Sequence, residues 1–154
     1  MNHKHSNLKK GDQLGSEFSL AAVMFHQAVA EKSGLNVTDY KCLSTLLHSN
    51  ALTPSQLAQI TGLSTAAMTT VIDRLEKAGF VRRSPDPKDR RRVFITAHHE
   101  KIEQEIVPHL QSFFRALGEL FSQYKPEEIN LIADFIVNMT ELFQVETKKL
   151  RNKK

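Results

Sequence analysis

A chain of 154 residues, 40% hydrophobic and 25% charged, has the length and composition of one compact domain, or of one domain with an oligomerisation extension. Its formal charge of +4 and pI near 9.3 fit a polyanionic partner without choosing between nucleic acid and an anionic surface. One cysteine excludes a disulfide framework or thiolate cluster; no run approaches the roughly 18 apolar residues of a membrane span and the polar start has no signal core, so the cytoplasm is expected and a membrane is not.

Residues 1–15 and 151–154 read as flexible tails. From Ser16 to Lys32, Phe18, Leu20, Ala21, Phe25, Ala28 and Val29 recur at steps of three and four, which predicts a first helix ended by Gly34. Asn36 and Asp39 resemble a capping box, with Asp in place of Glu, ahead of a second helix whose buried stripe is Tyr40, Leu43, Leu46 and Leu47. Thr53 and Pro54 open a short third helix to Ile60, and Gly62 makes the turn. Ser64 caps a fourth helix with Met68, Val71, Ile72 and Leu75 on one face, and Gly79 closes it. Phe80–Arg83 and Arg92–Thr96 predict an antiparallel ribbon, with Pro85 and Pro87 in the loop where no ladder donor is needed. Two long helices complete the chain, from about His98 to Gln123 and from Pro126 to about Lys149. Together with the first helix, they are too long and too apolar for a small domain to cover, which predicts a homodimer formed by 16–35 and 98–150.

The segment 36–97 thus reads as a winged helix-turn-helix, and the fold class as mainly α with a small β-hairpin wing plus a terminal-helix dimerisation region. From Arg82 to Arg92 there are six Lys/Arg against two Asp, a net +4 that equals the charge of the whole chain. Ser64, Thr65, Ala66, Thr69 and Thr70 are small or hydroxyl-bearing, suited to a helix entering the major groove, and Arg74 reaches a phosphate or base. Lys88, Arg90, Arg91 and Arg92 form the wing set, with Arg90 first choice for the minor groove and Asp89 orienting its neighbours. Taken singly, the Ser/Thr cluster is a capped, solvated helix face and the wing a charged hairpin tip that avoids aggregation. Their adjacency makes double-stranded DNA, in a pseudo-palindromic operator, the expected partner.

The stretch GLSTAAMTTVIDRLEKAGFVRR followed by DPKDRRRVFIT resembles the MarR (multiple antibiotic resistance regulator) family of dimeric winged-helix transcription regulators. The likeness spans about Phe18 to Leu150 and is most specific at VIDRLEKAGFV and the DxR element of Asp89–Arg91. It implies a triangular homodimer on pseudo-palindromic promoter DNA, a repressor released by a small phenolic or anionic effector held between the DNA-binding and dimerisation regions. It also implies that Asp73 and Arg91 pair to brace the wing. The family's usual Leu-Thr and following Gly correspond here to Ala97, His98 and Lys101, which departs from the pattern at the start of the fifth helix.

Other chemistry is weaker. Cys42 reads as a buried, unreactive thiol, away from the start of the first helix where peroxide-sensing members of the family carry theirs. His98, His99, Glu100 and His109 lack helical ligand spacing, so no metal and no cofactor is expected. His26 reads first as a satisfied interface histidine and second as part of an effector crevice. No enzyme motif is present. The alternatives to a DNA-binding regulator are a winged-helix adaptor for protein partners, which would tend to lose the charged wing, and a metal-responsive regulator.

Overall fold

The computed structural model describes residues 2–49, 51–86, 89 and 92–152, with side chains from residue 9 to 151, so Lys88, Arg90 and Arg91 lie outside the described residues. Elements follow in the order α1 (Asn2–Lys32), α2 (Val37–Leu47), α3 (Pro54–Thr61), α4 (Thr65–Lys77), β1 (Val81–Pro85), β2 (Val93–Ala97), α5 (His99–Glu105), α6 (Val107–Phe121) and α7 (Pro126–Asn152). They fall into two compact units, Met1–Leu110 and Gln111–Lys154. The division between these units lies inside α6, and Ile102 and Ile106 are buried with the core of the first unit.

That core draws Val29 and Ala30 from α1, Tyr40, Cys42, Leu43 and Leu46 from α2, Leu57 and Ala58 from α3, and Met68, Val71, Ile72 and Leu75 from α4. Phe80, Val81 and Ile95 close it on the hairpin side. Local sequence chemistry sets the joints. Thr53 and Gln56 form a reciprocal capping box with Pro54 in the first turn of α3. Gly62 ends α3 in the left-handed conformation at φ 74°, which lets the chain reverse into α4. At the end of α4, Gly79 N–H donates to the Glu76 carbonyl and Phe80 N–H to the Leu75 carbonyl, each at 2.9 Å, a Schellman arrangement that drops Phe80 into the core beside Leu75. A side chain at Gly79 would also meet Lys101 Cδ at 3.3 Å; Lys101 lies over the Phe80 ring.

The hairpin pairs Val81 with Ala97, Arg83 with Ile95 and Pro85 with Val93. An isolated bridge between Leu52 and Ile95, with bonds of 3.2 and 2.7 Å, adds a third strand position that the sequence does not announce.

Four expectations change. The helix expected from Ser16 starts at Asn2, because the helical pattern contains no breaker stronger than Gly11 and Gly15, each costing about 1 kcal/mol. The long helix expected over 98–123 is two helices, broken at Ile106 (φ −112°), since Pro108 brings no N–H for the Gln104 carbonyl and its ring crowds that turn. Pro85 belongs to β1 and not to the loop, at the strand's last position, where a missing N–H is tolerated. Asp39 does not complete a reciprocal capping box: Asn36 Oδ1 accepts the Asp39 N–H at 2.9 Å, but the Asp39 carboxylate is turned elsewhere.

Leu75 is fully buried and Ile60 is 58% exposed. Leu75→Ala should lower unfolding stability by about 2–5 kcal/mol. Ile60→Ala should change it by less than about 0.5 kcal/mol, both read from urea midpoints at unchanged m.

Candidate nucleic-acid interface

With Met68, Val71, Ile72 and Leu75 buried, helical geometry turns Thr65, Ala66, Ala67, Thr69, Thr70 and Asp73 outward, and all are exposed. Ser64 Oγ accepts the Ala67 N–H at 3.2 Å and caps the helix. The hydroxyls of Thr69 and Thr70 donate to the carbonyls of Thr65 and Ala66 at 3.0 and 3.2 Å. The expected major-groove residues therefore share one exposed face at the N-terminal half of α4.

Arg74 departs from expectation. Its Nε donates to Asp39 Oδ2 at 2.8 Å and its Nη2 to Asp39 Oδ1 at 2.6 Å, a bidentate pair across α4 and α2. The Asp39 side chain is 4% exposed and that of Arg74 is 47% exposed. A carboxylate so far from water requires a partner, and the guanidinium fork supplies two donors in one plane. Asn36 Nδ2 donates a third bond to Asp39 Oδ2 at 2.8 Å. The hydrogen bond to Asp39 holds the Arg74 pKa above its ordinary value. Beside them, burial and then the Asp39 carboxylate push the Cys42 thiol up to about 11, so it stays protonated and unreactive.

On the hairpin, strand alternation separates two neighbouring arginines. Arg82 is exposed, and its Nε donates to Thr96 Oγ1 at 3.2 Å. Arg83 turns toward α4, where Nη2 meets Asp73 Oδ1 at 2.5 Å, Nη1 meets Glu76 Oε2 and its backbone N–H donates to Glu76 Oε1 at 3.0 Å. The bond to Asp73 comes first among the causes that raise the Arg83 pKa. The Asp73–Arg91 brace expected from the resemblance involves a residue outside the described set; among the described residues Asp73 meets Arg83. At the turn, Arg92 N–H donates to the Asp89 carbonyl and Asp86 N–H to the Arg92 carbonyl, both at 2.9 Å, while the Arg92 guanidinium lies 5.8 Å from the Phe94 ring centre. The sequence reading missed Asp39, Arg83 and Glu76. A period-2 reading of VRRSP would have turned Arg83 inward, whereas nothing local announces Asp39 as the partner of Arg74.

His26 sits between α1 and α2, with Nδ1 2.5 Å from Lys41 Nζ and its ring 5.9 Å from that of Tyr40. Burial and the neighbouring Lys41 charge hold His26 below its ordinary value, and burial lowers Lys41. Among the described residues no group of three or more His, Cys, Asp or Glu is placed to hold a metal ion, and no helix is long and apolar enough to cross a membrane.

The MarR family model matches residues 35–93, from just before α2 to the first residue of β2. YcgE of Bacillus subtilis, an uncharacterized HTH-type transcriptional regulator, is 37% identical over 147 residues, spanning 93% of this chain and 92% of its own. The chain belongs to the MarR family of transcriptional regulators. Solved MarR-type structures share the fold at lower identity. One is a Streptomyces coelicolor MarR regulator in complex with DNA, 22% identical with a TM-score of 0.58 over 86% of this chain and 90% of that one. Another is CouR of Rhodococcus jostii bound to p-coumaroyl-CoA, 23% identical with a TM-score of 0.61 over 82% and 88%.

The Asp39–Arg74 pair is asymmetric, and its two halves should respond differently. Arg74→Ala strands a buried carboxylate and should cost about 3–5 kcal/mol. Asp39→Asn leaves a half-exposed arginine that reaches water and should cost about 1–3 kcal/mol. Chemical denaturation of the two variants measures the order.

Proposed function

We propose that this MarR-family chain is a homodimeric, sequence-specific DNA-binding regulator, a repressor released by a small molecule, working in the cytoplasm by binding and not by catalysis. The observation that carries the reading is the exposed hydroxyl-bearing face of α4, pinned from behind by Asp39–Arg74 and set beside a hairpin whose run 82–92 holds the chain's entire net charge. Ser64, Thr65, Ala66, Thr69 and Thr70 enter the major groove, and Lys88, Arg90, Arg91 and Arg92 follow the backbone and minor groove. Asp73 and Asp89 brace the wing, the former also through Arg83. Arg74 contributes chiefly by fixing α4. The S. coelicolor neighbour in complex with DNA supports this assignment.

Dimerisation is supported by the apolar surface of the terminal helices. Phe18, Leu20 and Met24 of α1, and Leu131, Phe135, Ile136 and Phe143 of α7, are exposed. Patches of this size on helices demand a partner surface. A second copy covers them by isologous pairing and presents two α4 helices about one turn of DNA apart.

The effector seat is assigned to His26, Lys41 and Tyr40, where two neighbouring basic groups beside an aromatic ring suit a phenolic or carboxylate anion. CouR with its bound p-coumaroyl-CoA lends weight to a ligand of this chemistry.

DNA affinity should fall steeply with salt, log K losing about 0.9 per neutralised phosphate for each tenfold rise. Arg90→Ala should flatten that slope by about one unit in a fluorescence-anisotropy titration, and an affinity indifferent to salt sinks the reading. Because His26 titrates below its ordinary 6.5 when the seat is empty, binding of an anion that restores the His26 charge is coupled to uptake of a proton by the imidazole. Affinity for 4-hydroxybenzoate should then rise as pH falls through 6.5; in calorimetry His26→Ala should abolish that pH dependence, while Lys41→Ala, which removes only the smaller of the two causes, should reduce it.

A further inference from the structure

Every long polar side chain on the first three turns of α4 is already committed. Arg74, at the start of the last turn, is pinned to Asp39 through Nε and Nη2. Asp73 bears acceptors only, and one oxygen meets Arg83. What remains exposed at the N-terminal half is a surface of methyl groups, from Thr65, Ala66, Ala67, Thr69 and Thr70, and hydroxyl oxygens. The protons of the Thr69 and Thr70 hydroxyls are spent on the carbonyls of Thr65 and Ala66, and Ser64 Oγ takes the Ala67 N–H. The Thr69 and Thr70 hydroxyls therefore face outward as acceptors with free lone pairs, whereas Ser64, whose oxygen accepts, keeps its own proton to donate.

In the major groove, guanine offers two acceptors, N7 and O6, and is read by a two-pronged donor such as arginine. Thymine offers a methyl group, and adenine and cytosine offer exocyclic amines. The methyls and acceptors of Thr69 and Thr70 complement the second group and not the first, and the single proton of Ser64 is not a two-pronged donor.

Resting on the DNA-binding reading above, we propose that α4 selects its half-site through thymine 5-methyl groups and the amines of adenine or cytosine, with Thr69 and Thr70 as specificity-determining residues, and that it does not read guanine. A wing in the minor groove also favours A·T pairs, through groove width. The two sources separate cleanly, because the thymine methyl projects only into the major groove.

The test uses the full chain and a randomised duplex pool, from which bound sites are enriched and resynthesised in three forms: natural, with every thymine replaced by uracil, and with every guanine replaced by 7-deazaguanine. Uracil should weaken binding about fourfold per methyl contact, hence roughly tenfold or more for a two-fold-related site, while 7-deazaguanine should change it less than about twofold. Thr69→Ser/Thr70→Ser keeps both hydroxyls and their helix bonds and removes only the methyls, so its uracil penalty should shrink by the same factor. Enriched sites that bind equally with uracil, lose affinity with 7-deazaguanine, or keep their uracil penalty in the double variant overturn the inference while leaving DNA binding intact. A pool that yields no enriched site overturns both.

Discussion

The DNA-facing half of this chain is organised around one buried carboxylate. Asp39 lies at 4% exposure within a core of leucine, methionine and valine, where an unpaired charge would cost several kcal/mol. It is relieved by two bonds from Arg74 and one from Asn36, so the first turn of α2 and the last turn of α4 are held at fixed distance and orientation. Hydrophobic contact alone holds helices together but tolerates sliding; a bidentate fork does not. Cys42, one turn along α2, fills the same region as a neutral thiol. The outward face of α4 is thereby set from the inside, by residues that touch no ligand.

A second tie repeats the logic at the surface. Asp73 and Glu76 on α4 would repel phosphate if left bare, and Arg83 from β1 pairs with both, offsetting part of their charge while carrying the hairpin against the helix. These pairs are partly solvated, so their value to stability is small and their value to geometry larger. Within one basic run the arginines divide their labour by strand parity: Arg83 faces the protein, whereas Arg82 faces solvent. The charge offered to a polyanion is thus less than the run contains, and better aimed.

Where sequence spoke clearly, it did so through local rules. Thr53–Pro54, Ser64, Gly62 and Gly79 mark the joints of α3 and α4 because caps and left-handed turns are decided by a few adjacent residues, and the apolar stripe of α4 follows from helical spacing. What escaped depends on other constraints. Pro108 sits inside a strong apolar period that masked the break it causes. Asp39 finds Arg74 35 residues away, a pairing no local pattern encodes. The Leu52–Ile95 bridge is a single pair, too short for strand periodicity to register. Arg74 was read as a DNA ligand because basic residues on such a helix ordinarily are; the buried acid behind it gives it a structural partner that the reading did not include.

The terminal helices carry the same argument to the level of assembly. Every described side chain of α7 is at least partly exposed, and Leu131 at 71% and Phe18 of α1 at 76% sit in water as the chain stands alone. A helix gains little from propensity and most of its stability from an apolar face it buries. A 27-residue helix with its leucines and phenylalanines uncovered therefore lacks its main stabilising term. In the proposed dimer that term is supplied by the partner, so ordering of the terminal helices and association are one event and depend on protomer concentration. The spacing of two α4 helices, and with it the spacing of half-sites they can span, is then fixed by how these apolar faces interlock, far from any residue that meets a base.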